Sequence, residues 1–172
     1  MGRARAAAGS LVFLVLAPGV VTGVVPWLIT RWETHTPTPW WGPVRVAGVV
    51  LIAAGALTLL SGFVRFVVEG TGTPSPVAPT GRLVVGGPYR YVRNPMYLAV
   101  LALVVGQALT LGRLELLLYA AALAVAFVAF VAWYEEPTLR RTFGDTYEAY
   151  RQAVPAWWPR LRPWDRTVPR PR

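Results

Sequence analysis

Four apolar runs, each close to the length of a bilayer-spanning helix, constrain the fold of this chain more than any other feature. They cover residues 10–30, 44–68, 96–111 and 114–134. A spanning helix needs about 20 mostly apolar residues, because the hydrocarbon core is about 30 Å thick and each residue rises about 1.5 Å. Lipid offers no partner to a free backbone N–H or C=O, which favours helices. We therefore predict an all-α, polytopic membrane protein whose residues 1–172 form a single domain with about four transmembrane helices.

The overall composition agrees with a membrane protein and excludes several functional classes. Hydrophobic residues make up 55% of the chain and charged residues 15%, whereas soluble domains carry roughly 25% charged residues. The chain has no cysteine and one histidine, so disulfides, cysteine nucleophiles and multi-histidine metal sites are excluded, and we predict no metal. Although the net charge is +9, no basic stripe is interleaved with aromatics on a soluble domain, so we predict contacts with membrane lipids and no nucleic-acid partner.

The distribution of basic residues predicts the orientation. All 17 are arginines, and most lie in the N-terminus, the loop 70–94 and the C-terminal tail, whereas the opposite loops carry Arg31 and Arg113. By the positive-inside rule, both termini and the middle loop are cytoplasmic, and we expect a prokaryotic cytoplasmic membrane. Residues 138–152 have apolar residues at near-helical spacing among charged ones, which predicts an amphipathic cytoplasmic helix after the last span.

Three glycines in the second apolar run predict close helix packing. Gly48, Gly55 and Gly62 repeat at seven-residue spacing. Small residues on one face of a membrane helix let a neighbouring helix approach closely. We expect this face to pack against another span.

Two polar clusters flank the hairpin formed by the third and fourth runs. Residues 87–97 contain two arginines and three tyrosines, and Glu135-Glu136-Pro137 is predicted to close the fourth run. Adjacent carboxylates at a helix C-terminus oppose the macrodipole and need cations or donors. They either pair with Arg140 or with the Arg90/Arg93 region, or hold the ammonium or ribose hydroxyls of a ligand, which we favour. Because the hairpin enters and leaves on one side, we expect the clusters to converge.

The first polar cluster offers further ligand contacts. Tyr89, Tyr91 and Tyr97 either stack on a flat base or a sulfonium, or form an interfacial aromatic belt. A residue before proline is pushed away from helical geometry, so we expect Asn94 to present its amide outward. The sequence lacks dinucleotide, P-loop, HExxH and GxSxG motifs, so any cofactor must be held by these loops and helix ends.

These residues resemble a known family. The block from Gly87 to Tyr97, and the block from Glu135 to Tyr150 followed by Val154-Pro155, resemble the isoprenylcysteine carboxyl methyltransferase family and the related phospholipid methyltransferases. The resemblance covers residues 81–159. It implies an integral-membrane methyltransferase that binds S-adenosylmethionine in a cytosol-facing pocket beneath the C-terminal helix. A lipophilic or lipid-like acceptor would reach this pocket from the bilayer.

The resemblance also assigns site residues by position. Asn94 stands where many members have histidine, Glu135 matches the cofactor-binding glutamate, and Val131 stands where eukaryotic prenylcysteine enzymes carry a substrate-binding arginine. Glu136 is the candidate catalytic base, with pairing to Arg140 as its alternative. The residues assigned to the cofactor are Gly81, Arg82, Leu83, Val84, Tyr89, Arg93, Asn94, Pro95, Met96, Tyr97 and Glu135.

Two other functional classes stay open from the sequence. A membrane reductase of the steroid-reductase type has a comparable C-terminal hairpin and uses NADPH, whose 2′-phosphate would suit the arginines. A non-enzymatic scaffold or transporter subunit would not depend on Glu135 or Tyr97 for ligand binding. No charged residue lies near the middle of a span, where transporter coupling sites usually need one.

Overall fold

The computed structural model describes residues 17–69 and 83–165, and all regular elements in these two ranges are helical. The prediction of an all-α chain is confirmed for this part. The elements are α1 (Ala17–Thr30), α2 (Gly42–Glu69), a 3₁₀ turn (Gly87–Arg90), α3 (Pro95–Leu111), α4 (Glu115–Phe143) and α5 (Asp145–Ala153).

Within residues 17–69 and 83–165, two helices are long and apolar enough to cross a membrane. They are residues Gly42–Arg65 of α2 and Glu115–Phe143, which is α4. Apolar helices α1 and α3 are shorter, and α3 has 17 residues, the lower limit for a span. The predicted first span begins at residue 10, and its residues 10–16 lie outside the described part.

The glycine face of α2 packs against α3, as its spacing predicts. A Cβ added to Gly48 would lie 2.7 Å from the carbonyl oxygen of Gly106, and one added to Gly55 would lie 2.9 Å from that of Ala99. Near the other end of α2, the added Cβ of Gly62 would lie 3.0 Å from Met96 Cγ. The two helices are therefore antiparallel and in backbone contact, which fixes Met96 and the start of α3 against α2.

The C-terminus of α3 is closed by the loop that joins α1 to α2 and by the first turn of α2. The carbonyl of Leu109 accepts from Trp41 Nε1 at 2.9 Å, that of Thr110 from Arg45 Nε at 2.9 Å, and that of Leu111 from the N–H of His35 at 2.7 Å. Helix C-terminal carbonyls otherwise lack partners. Gly112 then turns the chain into α4 with φ of +70°, a region that favours glycine.

Helix α1 is held by side chains that bond to carbonyls of its π-helical turn, Val20–Val24. Pro26 has no N–H to offer the carbonyl of Thr22. That carbonyl accepts from Gln107 Nε2 at 2.8 Å, and the carbonyl of Val21 accepts from the Tyr119 hydroxyl at 3.0 Å. Neighbouring helices thus satisfy the groups that proline frees, as membrane helices require.

We expect Gln107→Leu to loosen the attachment of α1. The substitution leaves the Thr22 carbonyl without this donor, at a cost of about 1 kcal/mol. The melting temperature in detergent should fall by about 2–4 °C. The control is Gln152→Leu. It makes the same glutamine-to-leucine change at an exposed position of α5, which among the described residues has no bond to α1. A Gln107→Leu protein as stable as the Gln152→Leu protein would contradict this role.

Helix α4 does not end at Glu135–Pro137, so the prediction that these residues close the fourth run at 134 is wrong. A π-helical turn, Val131–Glu135, precedes Pro137, and the helix continues to Phe143. In this turn the N–H of Glu136 bonds to the carbonyl of Val131, five residues earlier. The wider turn carries the helix past a residue that cannot donate.

The predicted amphipathic helix 138–152 is divided into two. Gly144 separates α4 from α5 with φ of +51° and ψ of −129°, a conformation that residues with a Cβ rarely adopt. After this bend, Tyr147 and Tyr150 on α5 are buried, while Asp145 is exposed. The bend therefore directs the tyrosines of α5 toward the start of α3.

Candidate functional site

The two polar clusters meet where α3 begins and the π-helical turn of α4 ends. Tyr97 lies in the first turn of α3, and Glu135 is the last residue of the π-helical turn. The Tyr97 hydroxyl donates to Glu135 Oε2 at 2.7 Å. The expected convergence of the clusters is thus confirmed. A rare π-helical turn inside a long helix often occurs at functional sites.

Two further aromatic rings lie beside Tyr97, the hydrogen-bond partner of Glu135. The ring of Tyr97 lies 4.8 Å from that of Phe127 on α4 and 6.4 Å from that of Trp157, measured between centroids. Phe127 and Met96, the residue before Tyr97, also pack on the buried core formed by α2 and α3. A carboxylate beside several aromatic rings is suited to an organic cation, because cations are attracted both to negative charge and to aromatic faces.

A second polar contact lies next to the first. Arg93 Nη1 lies 2.6 Å from Glu136 Oε1 and also donates to the Tyr147 hydroxyl at 2.8 Å. The exposed fractions of the Arg93 and Glu136 side chains are 11% and 19%. Arg140, the alternative partner, lies 3.9 Å from the other oxygen of Glu136. The main partner of Glu136 is therefore Arg93 rather than the residue one turn away.

Residues 154–165, which we call the C-terminal strap, cover the segment that leads into α3. The N–H of Arg93 donates to the Pro155 carbonyl at 2.9 Å, and Asn94 Nδ2 donates to the Ala156 carbonyl at 3.1 Å. Further along, the N–H of Arg160 donates to the Tyr91 carbonyl at 2.9 Å. Asn94 is therefore buried, with an exposed fraction of 6%, and the prediction that its amide points outward is wrong.

The end of the strap is fixed through Arg90. Its Nε donates to the Trp164 carbonyl at 2.8 Å, its carbonyl accepts from the Trp164 N–H at 2.9 Å, and its Nη2 pairs with Asp165. Trp164 also packs on Tyr150, with centroids 5.5 Å apart. Arg90 is thus engaged with the strap.

The tyrosines of α5 and the 3₁₀ turn form a buried layer beside the site. The Tyr150 hydroxyl donates to the carbonyl of Tyr89 at 2.7 Å. Burial raises the pKa of Tyr89, Tyr147 and Tyr150 above the ordinary phenol value. For Tyr147, the neighbouring Arg93 guanidinium partly opposes this rise in pKa. These phenols are neutral at physiological pH and able to donate hydrogen bonds.

A comparison with protein-family models shows to which family the chain belongs. The family model described as phospholipid methyltransferase matches residues 44–146, more than half of the 172-residue chain. The chain belongs to the phospholipid methyltransferase family. No curated protein and no solved structure matched it.

The phospholipid methyltransferase match includes Tyr97, Glu135 and the Arg93–Glu136 pair, but stops before the C-terminal strap. The match and the two candidate spans together indicate a membrane protein of a methyltransferase family. Helix α1 and the strap are parts of this chain's structure beyond the matched residues.

The other described residues assigned from the sequence lie in the segment before α3 and in the first turn of α3. Val84 and Pro95 are buried, and Leu83 packs against the cluster formed by Val85, Tyr147, Tyr150 and Val154. Tyr89 is buried in the 3₁₀ turn, and Met96 lies on the α2–α3 core. Gly81 and Arg82 lie outside the described residues.

Sequence reasoning missed two residues of this candidate site. Trp157, which lies beside Tyr97, and Tyr147, which contacts Arg93, were not assigned to the site from the sequence. The regular spacing of Tyr147 and Tyr150 signalled that one face of their helix is buried. Nothing in the sequence signals that Trp157 returns to α3, because the strap has no periodic pattern.

Proposed function

We propose that this chain is an integral-membrane methyltransferase that transfers a methyl group from S-adenosylmethionine to a lipophilic or lipid-like acceptor. The observation that carries the proposal is the Tyr97–Glu135 hydrogen bond of 2.7 Å beside the rings of Phe127 and Trp157. Membership of the phospholipid methyltransferase family supports it. The cofactor-binding region we propose covers residues 81–159 of one domain formed by residues 1–172.

The chemistry of these residues fits the cofactor. S-Adenosylmethionine, when bound, supplies a methyl group already activated on a positively charged sulfonium. The Glu135 carboxylate can accept from an ammonium or from ribose hydroxyls, and aromatic faces attract a sulfonium. Tyr97 holds the Glu135 carboxylate toward the start of α3 by donating to it. We propose the remaining contacts on the surfaces of Leu83, Val84, Tyr89, Asn94, Pro95 and Met96, together with Gly81 and Arg82.

The protein then has three tasks, which are binding, alignment and exclusion of water. Aligning two reactants removes much of the entropic barrier to their reaction, and exclusion of water strengthens the contact between Glu135 and a cation. The strap performs the exclusion in this proposal, because it covers the entry to α3 through its bonds to Arg93 and Asn94. Glu136 remains the candidate base for a protonated acceptor, although Arg93 occupies one of its oxygens.

We propose that the acceptor reaches the site from the bilayer. The outward surface of α4 is apolar near the site, where Val128 and Phe130 are exposed. Val131, where prenylcysteine enzymes carry an arginine, is buried and apolar, so a carboxylate acceptor would find no cation at this position. A lipid-like molecule with a small polar group suits these surroundings.

The proposed orientation places the site on the cytoplasmic side. In this arrangement α1 to α4 all cross the membrane, both termini are cytoplasmic, and α5 lies at the cytoplasmic surface. The arginines of the strap and of the segment before α3 then face the cytoplasm, as the positive-inside rule requires. The turn at Gly112, at the other end of the hairpin, lies on the outer side.

The first test is binding of S-adenosylmethionine to the detergent-purified protein by calorimetry, with NADPH titrated in parallel. We expect saturable binding of S-adenosylmethionine and none of NADPH. The transfer itself is tested by adding S-adenosylmethionine with a radiolabelled methyl group and measuring the label that appears in lipids extracted from membranes. Binding of NADPH alone would favour the reductase. If folded protein bound neither S-adenosylmethionine nor NADPH, the proposal that the protein is an enzyme would be wrong.

A further inference from the structure

We propose that Arg93 is a positioning residue that holds the C-terminal strap over the cofactor site, and does not itself contact the cofactor. The inference rests on the function proposed above and deepens it. Arg93 ends the segment before Asn94-Pro95 and lies four residues before Tyr97, outside α3. A residue at this position can connect the start of α3 with whatever covers it.

The contacts of Arg93 join three separate parts of the chain to the start of α3. Its Nε donates to the Val154 carbonyl at 2.9 Å, and its Nη1 donates to Glu136 Oε1 at 2.6 Å and to the Tyr147 hydroxyl at 2.8 Å. Its own N–H donates to the Pro155 carbonyl. The strap, the end of α4 and helix α5 thus meet at one guanidinium.

The burial of Arg93 distinguishes this role from that of a topological arginine. Its side chain is 11% exposed, whereas an arginine that only marks the cytoplasmic side needs no protein partner. A buried charge is costly unless it is paired and hydrogen-bonded, and here Glu136, Tyr147 and Val154 supply the partners. Because Nε and Nη1 already donate to protein oxygens, these nitrogens are occupied before a ligand binds.

The strap connects Arg93 to the proposed cofactor site. Trp157 follows Pro155 by two residues and lies beside Tyr97. The Arg93 side chain holds the Val154 carbonyl, and the Arg93 backbone N–H holds the Pro155 carbonyl. Loss of the side-chain bonds to Val154, Glu136 and Tyr147 would leave the strap attached at Arg93 by the backbone bond alone. This would loosen Trp157 from Tyr97 and admit water to the Tyr97–Glu135 pair. Arg93 therefore acts on cofactor binding through the strap.

The test uses full-length protein in detergent and two readouts. The variants are Arg93→Met, Arg93→Lys and the double variant Arg93→Met/Glu136→Gln, which removes the unpaired carboxylate that could prevent the single variant from folding. The exposed Arg141 gives the matched control, Arg141→Met. Hydrogen exchange of the Arg160 and Trp164 amides reports on the strap, because both bond to the segment before α3. Calorimetry gives the Kd for S-adenosylmethionine.

We expect the strap amides of the Arg93→Met and double variants to exchange at least about tenfold faster, and the Kd to rise by about tenfold or more. Arg93→Lys should give a smaller change in both, because an ammonium cannot reproduce the fixed fork of the guanidinium. The amides of α3 should keep their protection in all variants, and Arg141→Met should match the wild type.

Unchanged exchange of the strap in a folded Arg93 variant would overturn the proposal. Faster exchange with an unchanged Kd would also overturn it, since the strap would then open without effect on the site. If the wild-type protein failed to bind S-adenosylmethionine, the proposed function would be wrong. In that case the exchange of Arg160 and Trp164 would still decide whether Arg93 holds the strap.

Discussion

Replacing Glu135 by glutamine should abolish methyl transfer and weaken binding of S-adenosylmethionine by about tenfold to 100-fold. A hydrogen bond to a charged group contributes about 1.5–3 kcal/mol, and tenfold in affinity corresponds to about 1.4 kcal/mol. Glutamine keeps an oxygen that can accept from the Tyr97 hydroxyl, now 2.7 Å from Glu135. The substitution therefore removes the charge while preserving the shape of the site. Calorimetry and a radiolabelled transfer assay measure the two effects.

The companion variant Tyr97→Phe separates the charge from its orientation. It keeps the Glu135 carboxylate and the aromatic ring, so we expect a smaller loss of affinity than with Glu135→Gln. Glu33→Gln is the control, because Glu33 is exposed and pairs with Arg113 at the other end of the hairpin. Normal binding to a folded Glu135→Gln protein would remove the main support for the proposed site.

The sequence predicted the helices and the meeting of the polar clusters because both follow from simple constraints. Apolar runs near span length predict helices, and a short turn at Gly112 returns α4 along α3. The ends of the hairpin must then lie together, which brings Glu135 to Tyr97. The glycine spacing of α2 predicted a packing face, and the backbone contact between Gly48 and Gly106 confirms it.

The rest depended on contacts that leave no sequence signature. Pro137 usually marks the end of a helix, and the π-helical turn that carries α4 past it depends on local backbone geometry. Glu136 and Arg140 have the spacing of a helical ion pair, but a tertiary partner, Arg93, lies closer. The strap is bound mainly through backbone groups, which every residue has, so the burial of Asn94 beneath it was not foreseen.

Substitution of Gly48 should have the largest effect on stability. An added Cβ would lie 2.5 Å from Thr110 Oγ1 and 2.7 Å from the Gly106 carbonyl oxygen and the Thr110 backbone nitrogen. Backbone atoms within a helix cannot yield as a flexible side chain does, so α2 must move away from α3. We expect Gly48→Leu to cost at least about 3 kcal/mol and to lower the melting temperature in detergent by about 10 °C. Gly42→Ala in the same helix is the control, because nothing lies within 4 Å of its added Cβ.

The contact between Gly48 and Gly106 is reciprocal, which provides a sharper test than either variant alone. A Cβ on Gly106 would lie 2.8 Å from the carbonyl oxygen of Gly48. Once one alanine has separated the helices, the second meets less resistance, so Gly48→Ala/Gly106→Ala should destabilise the protein by less than the sum of the single variants. Strictly additive losses would show that the two glycines do not share one contact. Because Met96, at the start of α3, packs against the same face of α2 at Gly62, a wider separation should also reduce cofactor binding at Tyr97.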